Sequence, residues 1–303
     1  MKISIPGTFR ADLLLLLTAF IWGSAFVAQR AGMEHMGPFI FNGIRFALGA
    51  LTLLPVIWYR KKKGFVDHVF QKRDSGYLLQ AGIIAGLILF AGSSLQQVGI
   101  VYTTAGKAGF ITGLYVVIVP VLGLIWKQRP GSGVWAGAAM AAIGLYFLTI
   151  SDGLSIETGD FLVMLCAVAF ALHVLAIGWL AVRVDCVKLA AVQFAVTSVL
   201  SLCIAIIFED IIFSALIDGI VPILYGGIMS VGVAYTLQVV AQRQAPPAHA
   251  AIILSLESVF AVLAGWIILH EVMGGREVAG CVLMFSGMLA AQIYSGEVKV
   301  DKP

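Results

Sequence analysis

Apolar runs of about 20 residues recur along the whole chain and alternate with short polar stretches. A helix needs about 20 apolar residues to cross the roughly 30 Å hydrocarbon core of a bilayer, so each run predicts one membrane-spanning helix. The first run follows a basic start, as in a signal peptide, but it is longer than a signal-peptide core, and nine further runs follow it. The predicted helices are approximately 11–31, 38–59, 76–99, 104–126, 132–150, 160–181, 187–208, 217–241, 247–269 and 277–295.

The basic residues support this count of ten helices. Lys and Arg collect in short cytoplasmic loops, and with a cytoplasmic N-terminus fifteen of the nineteen lie on the cytoplasmic side. The loops of the opposite side then hold only Arg276, together with acidic or neutral stretches such as 151–160. One helix more or less would break this alternation, so the pattern predicts ten spans with both termini in the cytoplasm. The fifteen residues are Lys2, Arg10, Arg60, Lys61, Lys62, Lys63, Lys72, Arg73, Lys127, Arg129, Arg183, Lys188, Arg243, Lys299 and Lys302.

The chain contains an internal repeat. The stretch 95–126 aligns without a gap with the stretch that begins at Leu237, and the first two helices of each half match more weakly. Each copy consists of an apolar helix end, a short polar turn and a second helix with one ionisable group just inside it. The paired residues are Leu95 with Leu237, Gln96 with Gln238, Lys107 with His249, Gly109 with Ala251, Gly123 with Gly265, and, at a second common offset, Asp12 with Asp160 and Arg45-Phe46 with Gln193-Phe194.

The repeat predicts the architecture. Residues 1–152 form one five-helix unit and residues 153–303 the other. Because five is an odd number, the second unit enters the membrane from the opposite side, which gives the inverted repeat that many secondary transporters use. The predicted fold is therefore an all-α polytopic membrane protein of ten transmembrane helices, in two inverted five-helix repeats.

Composition supports the membrane class and excludes others. Hydrophobic residues make up 60% of the chain and charged residues 12%, which would force a soluble fold to expose large apolar patches. The net charge of +3 is too small to indicate a nucleic-acid partner. The four cysteines are isolated and form no CxxC pair, so no metal, redox motif or cofactor is predicted.

Several segments carry a family resemblance. The first helix contains IWGSAF, the second Arg45-Phe46, the fourth YTTAGKAGFITGLYVVIVPVLG and the ninth SLESVFAVLAGWIILHE. Together they resemble the EamA-type branch of the drug/metabolite transporter superfamily, over 11–294. The resemblance implies a ten-helix carrier with a central cavity that moves small metabolites such as amino acids, often outward. The family commonly has proline after the glutamate of the ninth helix, whereas Ser258 follows Glu257 here, so no proline kink is predicted at that point.

Charged residues inside the spans are the strongest indicators of a site, because a charge at mid-helix costs about 2.5–3.5 kcal/mol on insertion scales unless it finds water or a partner. Glu257 lies roughly 15 Å deep, counted from Pro247 at 1.5 Å per residue. It can receive a substrate amine or a proton; the alternative is a structural group bonded to a neighbouring helix. Arg45 lies about 10 Å below the outer surface. It can clamp a substrate carboxylate or form a fixed salt bridge, for which Glu257 is at a suitable depth.

Three further ionisable residues are candidates for gating or coupling. Lys107 lies one turn into the fourth helix near the outer mouth, and His249 occupies the mirrored place near the inner mouth. The alternatives are a lysine that reaches out to water and a neutral histidine at a helix start. His173, in the sixth helix, is a lone histidine that either contacts substrate or a proton path or packs in the core.

Polar and aromatic residues complete the candidate cavity. Gln96 and Gln238 are stronger candidates because they are repeat partners, although glutamines at these positions can also form hydrogen bonds between helices. A tryptophan can stack on a substrate, but it can equally serve in packing or at the interface. Gly109 and Gly113 lie where helices approach closely, and Pro120 loosens the fourth helix. Replacing both glycines by leucine is expected to abolish transport but not insertion. The candidate residues are Trp22, Asn42, Gln96, Tyr115, Tyr235 and Gln238.

The motifs of the main enzyme classes are missing. His270-Glu271 lacks the second histidine of an HExxH zinc site, and the chain has neither a GxSxG nucleophile elbow nor a GxxxxGK[ST] phosphate loop. The sequence therefore predicts a secondary carrier of the plasma membrane, driven by a proton gradient or by exchange, rather than an enzyme or an ATP-driven pump. A channel or a non-transporting scaffold is the alternative; buried charges of both signs favour a gated binding site. No oligomeric state is predicted.

Overall fold

The computed structural model describes residues 7–64, 75–103, 105–126, 128, 130–149, 158–268 and 274–293. These residues form helices and short connections, and no strand occurs among them. In chain order the helices are α1 (Gly7–Gly32), α2 (Pro38–Lys62), α3 (Ser75–Tyr102), α4 (Ala105–Gly113), α5 (Tyr115–Ile125), α6 (Ser132–Thr149), α7 (Thr158–Leu180), α8 (Cys186–Phe208), α9 (Phe213–Asp218), α10 (Ile220–Leu224), a π-helix (Tyr225–Tyr235), α11 (Thr236–Ala241), α12 (Pro247–Leu254), α13 (Glu257–Ile268) and α14 (Gly275–Ile293).

Eight helical stretches of the described chain are long and apolar enough to cross a membrane. Two others, in α6 and α14, are apolar but shorter, and these helices pack against each other. A Cβ on Gly137 of α6 would lie 2.6 Å from the carbonyl oxygen of Gly287 in α14, so only glycine permits this approach of the two backbones. The all-helical membrane class is confirmed. The chain ends, on which the predicted orientation depends, lie outside the described residues.

The two halves of the chain pack on each other throughout. α2 packs on α8, α3 lies against α7 and α8, and α1 packs on α13. Four polar contacts also join the halves near helix ends, where side chains can satisfy polar groups that the apolar surroundings would leave unpaired. They are Arg60 with Asp185 (3.2 Å), His249 with Asp12 (2.8 Å), Thr103 with Asp160 (2.6 Å), and Glu209 with the start of α2.

Glu209 caps α2 from the other half of the chain. Its carboxylate accepts hydrogen bonds from the backbone N–H groups of Phe39 (2.9 Å) and Ile40 (2.7 Å). The first N–H groups of a helix have no partner within the helix, so an acceptor is needed there. The carboxylate also lies at the positive end of the helix dipole.

Replacing Glu209 by alanine is therefore expected to destabilise the protein by about 1 kcal/mol, the usual cost of losing a cap. The measurement is the unfolding temperature of the purified protein in detergent. Asp210→Ala is the matched control, since it removes a neighbouring, exposed carboxylate. Equal unfolding temperatures for the two variants would show that the cap contributes nothing.

The predicted fourth and ninth helices are each broken in two, at equivalent places. α4 gives way to α5 at Leu114, and α12 gives way to α13 at Ser255 and Leu256; the repeat alignment pairs Leu114 with Leu256. Both breaks contain a backbone hydrogen bond of the 3₁₀ type, between residues three apart. Leu114 N–H donates to Ile111 O and Leu256 N–H donates to Ile253 O, each at 3.2 Å. The ninth helix thus breaks without the proline of the family pattern, while α5 runs unbroken through Pro120.

The predicted helix 217–241 contains an unusual element. It is built from the end of α9, α10, the π-helix and α11. We call Tyr225–Tyr235 the π segment. A π-helix has i→i+5 hydrogen bonds and is rare at this length. The corresponding stretch of the first half, 83–93, lies within the regular helix α3.

Candidate functional site

Side chains from both halves enclose a cavity in the middle of the bundle. The centres of water molecules fit into about 30 Å³ of this space. The cavity is therefore narrow in this conformation. Eight of the residues predicted from the sequence line it: Trp22, Arg45, Gln96, Tyr115, His173, Tyr235, Gln238 and Glu257. The lining residues that were not predicted are Phe26, Gln29, Thr112, Phe170, Val174, Ser230 and Leu254.

Glu257 and Tyr115 occupy equivalent places. The alignment that pairs Lys107 with His249 also pairs Tyr115 with Glu257, and each is the first residue after a helix break. The Tyr115 hydroxyl lies beside the Glu257 carboxyl. Neither the hydroxyl nor Glu257 Oε1 makes a hydrogen bond of standard geometry with any described residue. Broken helices of this kind bring helix ends and polar groups to the substrate sites of transporters.

Arg45 lies in the same cavity, and no carboxylate among the described residues forms an ion pair with it. The side chain is 2% exposed, and its guanidinium lies 5.3 Å from the ring centre of Phe41 and 5.2 Å from that of Phe46. Such cation–π contacts partly replace hydration. Its Nε has no hydrogen-bond partner among the described residues, and no ion pair with Glu257 forms. The fixed salt bridge between Arg45 and Glu257 is thus not seen.

Several buried polar atoms that line the cavity lack a hydrogen-bond partner. Gln96 Nε2 donates to Thr112 Oγ1 (3.1 Å), but other polar atoms of lining residues have no partner within the described part of the chain. Buried polar atoms are normally hydrogen-bonded, so these atoms require an explanation. A small polar molecule would find both donors and acceptors here. The unpaired atoms are Gln29 Oε1, Arg45 Nε, Tyr115 OH, Gln238 Oε1 and Glu257 Oε1.

An aromatic cluster forms one wall, with Tyr235 at its centre. The Tyr235 ring lies 4.4 Å from Trp22, 6.2 Å from His173 and about 6 Å from Phe46 and Phe194, measured between ring centres. His173 Nε2 donates to Gln193 Oε1 (3.0 Å), which fixes the orientation of its ring. This wall offers apolar contact beside the two charged groups.

Of the other three predicted residues, Asn42 and His249 form hydrogen bonds between helices and do not line the cavity. Asn42 Nδ2 donates to the carbonyl oxygen of Ser93 (3.0 Å), which joins α2 to α3. His249 Nε2 donates to Asp12 Oδ1 (2.8 Å), which joins α12 to α1. Lys107 belongs to α4, but its side chain lies outside the described part of the structure.

Some of the residues that were not predicted carried a signal in the sequence. Phe170 is the repeat partner of Trp22 at the offset that pairs Asp12 with Asp160, so its place in the wall could have been found. Gln29 and Thr112 are polar residues inside spans. Ser230 is also a polar residue inside a span, but its orientation toward the cavity depends on the π-helical geometry, which the sequence did not reveal. Among the described residues no group of His, Cys, Asp and Glu side chains is arranged to hold a metal ion.

Most of the curated relatives reported for the chain are described as uncharacterized transporters. A protein of Archaeoglobus fulgidus described as an uncharacterized transporter is 31% identical, over 93% of this chain and 86% of its own length. The uncharacterized transporter YoaV of Bacillus subtilis is 21% identical, over 90% of this chain and 94% of its own. A chloroplastic WAT1-related protein of Arabidopsis thaliana is 20% identical, over 91% of this chain and 68% of its own.

The fold and the two halves also match known proteins. A crystal structure of a protein 18% identical in sequence has the same fold, with a TM-score of 0.75 over 97% of this chain and 99% of that one. The model of the EamA-like transporter family matches twice, over residues 9–150 and 157–291. Together with the apolar helices, these matches identify a multi-pass membrane protein. The chain belongs to the EamA-like transporter family.

Proposed function

We propose that the protein is a secondary-active carrier of small metabolites, such as amino acids or related compounds, and that it works as an exporter by alternating access. The observation that carries this proposal is that Arg45 and Glu257 line one enclosed cavity without pairing to each other. Keeping two buried charged groups apart is costly unless something binds between them. A substrate with both a carboxylate and an amine has the matching charges.

The proposed topology has ten spans in two inverted five-helix repeats, 1–152 and 153–303, with both termini in the cytoplasm. α6 and α14 are the fifth spans of the two halves and pack on each other. The equivalent breaks at Leu114 and Leu256 support the repeat. The net excess of basic residues on one side supports the orientation, and the plasma membrane is the proposed location.

Within the cavity we assign a role to each group. The guanidinium of Arg45 holds a substrate carboxylate through two parallel hydrogen bonds. Glu257 receives the amine or carries a proton, and the Tyr115 hydroxyl donates a hydrogen bond to the carboxylate when Glu257 is ionised. Trp22 and Tyr235 cover the apolar part of the substrate, while Gln96 and Gln238 supply further hydrogen bonds.

Opening of the cavity requires contacts near its two ends to separate. The His249–Asp12 contact is near the proposed cytoplasmic end, and the Thr103–Asp160 contact is near the other end. Asp12 and Asp160 are repeat partners, as are His249 and Lys107. We propose that these groups act as gates, and that His173, held by Gln193, lines the path of the substrate.

Counterflow in proteoliposomes tests the proposal. A labelled panel of amino acids and related metabolites is offered to the purified protein, with and without a pH gradient. A carrier gives saturable uptake that is stimulated by unlabelled substrate on the other side. A channel gives flux that does not saturate in this way, and a scaffold gives none, so either of those results would overturn the carrier.

Replacing Glu257 by glutamine is expected to abolish the stimulation of transport by the pH gradient, because the amide cannot take up or release a proton. Counterflow without the gradient should persist at a reduced rate. The measurement is uptake by parent and variant at equal protein content. Glu34→Gln is the control, since it makes the same chemical change at an exposed position between α1 and α2. A variant with full stimulation by the gradient would exclude Glu257 from coupling.

A further inference from the structure

The π segment shapes the wall of the cavity. Ser230 and Tyr235 both line the cavity, although they are five residues apart. In an α-helix, residues five apart point about 140° away from each other, at 3.6 residues per turn. The i→i+5 bonds of a π-helix bring them to the same side instead. α11 then resumes the ordinary geometry, and Gln238 joins the same wall three residues later.

Two side chains of α1 form hydrogen bonds with the backbone of the π segment. Trp22 Nε1 donates to the carbonyl oxygen of Ser230, and Thr18 Oγ1 donates to that of Ala234, both at 3.2 Å. The Trp22 ring also packs on Tyr235, at 4.4 Å between centres. Backbone carbonyls of this helix thus have partners outside the helix. The contacts made by α1 stabilise the present hydrogen-bond register.

The equivalent stretch of the first half has the ordinary register. The repeat alignment pairs Tyr235 with Ser93, which lies in α3 and does not line the cavity. The Ser93 carbonyl oxygen accepts a hydrogen bond from Asn42 instead. From this part of the first half, Gln96 alone reaches the described lining. The two halves therefore differ in backbone geometry at matching positions.

We infer that the π segment sets which substrates fit the cavity, with Tyr235 as the residue that limits their size, and that transport includes a change of this segment to α-helix. The change turns Tyr235 away from Trp22 and widens a cavity that is now narrow. This inference rests on the proposed carrier function. Alternating access moves one repeat against the other around the site, and the segment is one place where the two halves differ in backbone geometry.

The small residues of the segment permit the movement. Gly227 packs so closely on α2 that a Cβ there would lie 2.7 Å from Leu48 Cβ. At Gly232 a Cβ would lie 3.4 Å from Thr52 Cβ. Larger side chains at these points would interlock with α2, whereas glycines let the backbone rotate against it.

A disulfide provides the test of the movement. The Cβ distance of 3.4 Å at positions 232 and 52 is close to the 3.5–4.5 Å that disulfides require. Gly232→Cys and Thr52→Cys are combined in a chain from which Cys166, Cys186, Cys203 and Cys281 have been removed. The oxidised protein is expected to lose counterflow, and reduction should restore it. Equal counterflow in the oxidised and reduced forms would overturn the inference.

A second disulfide serves as the matched control. A Cβ at Gly219 would lie 3.4 Å from His35 Cβ, so Gly219→Cys with His35→Cys ties the start of α10 to the turn after α1. This disulfide does not constrain the hydrogen-bond pattern of the π segment, so counterflow should continue. Loss of counterflow with this pair as well would indicate movement of whole helices and would contradict a change of register.

Size selection gives an independent measurement. Tyr235→Ala is expected to lower the KM for substrates with bulky side chains relative to small ones, whereas Tyr235→Phe keeps the ring and should keep the parent preference. An unchanged ratio of KM values in Tyr235→Ala would overturn the role of Tyr235. A merely structural role would lower the unfolding temperature without altering that ratio.

A thiol-labelling measurement separates the inference from the proposed function. Ser230→Cys is placed in two backgrounds that lack the native cysteines, one with the oxidised pair at 232 and 52 and one that keeps Gly232 and Thr52, so that it supplies the free thiol in both. Its reaction with a small water-soluble maleimide should be slower in the protein with the disulfide. This difference requires no transported substrate. Absence of counterflow in the parent would refute the carrier, while equal labelling rates would refute the change of register.

Discussion

Replacement of Arg45 by glutamine is expected to raise the KM for transport strongly while leaving the unfolding temperature unchanged or higher. Hydrogen bonds to charged groups contribute about 1.5–3 kcal/mol each. The variant would lose the two hydrogen bonds that the guanidinium is proposed to donate to the substrate carboxylate. This loss should raise KM about a hundredfold or more. Stability should not fall, because Arg45 is 2% exposed and has no ion pair among the described residues. Removing an unpaired buried charge removes its desolvation cost.

The measurements are counterflow kinetics and thermal unfolding of the same preparations. Arg45→Lys keeps the charge but loses the planar fork, so an intermediate KM is expected. Arg183→Gln is the control for charge alone, since that guanidinium lies 4.1 Å above the Trp179 ring at a helix end, away from the cavity. A glutamine variant with the parent KM and a lower unfolding temperature would make Arg45 a structural residue.

Replacement of Gly113 by leucine is expected to abolish transport without preventing insertion. A Cβ at this position would lie 2.8 Å from Ser258 Oγ and 3.1 Å from Leu145 Cδ2. Overpacking of this kind costs about 1–3 kcal/mol. The strain would act on the break between α4 and α5. It would therefore also displace Tyr115, which lies two residues after Gly113. Transport is measured as counterflow, and insertion as protein recovered from the membrane fraction.

Gly109 provides the comparison within the same helix. The nearest atoms to a Cβ there belong to Phe26, at 3.6 Å, which is ordinary contact. Gly109→Ala should therefore transport nearly as well as the parent. The sequence led to a joint prediction for both glycines, and the structure assigns the larger effect to Gly113. Full activity in Gly113→Leu would show that the break tolerates a displaced α4.

The long spans could be predicted from the sequence because burial in lipid imposes length and apolarity at once. The predicted helix 187–208 differs from α8 by one residue at its start, and 38–59 differs from α2 by three at its end. The breaks at Leu114 and Leu256 were not predicted, since no proline marks either of them and the polar residues around Leu256 were interpreted as site chemistry. The π-helical geometry of Tyr225–Tyr235 also could not be predicted, because a uniformly apolar stretch shows no hydrophobic periodicity from which the type of helix could be inferred.

The cavity residues could be predicted where chemistry made them conspicuous. A charge inside a span is expensive, which singled out Arg45 and Glu257. That argument does not tell which way a polar side chain points. Asn42 bonds to α3 rather than facing the cavity, while Gln29 lines it. The direction in which a side chain points within a helix bundle depends on how the neighbouring helices pack, which a single sequence does not reveal.

The equivalence of Tyr115 and Glu257 bears on how the chain arose by duplication. A pair of identical first halves would place two phenols at the centre, and would lack the acid. A pair of identical second halves would place two carboxyl groups side by side, and would lack Arg45, because Gln193 occupies that position. Neither symmetric ancestor could offer opposite charges to a substrate. The proposed binding site therefore depends on the differences between the two halves and not on their similarity.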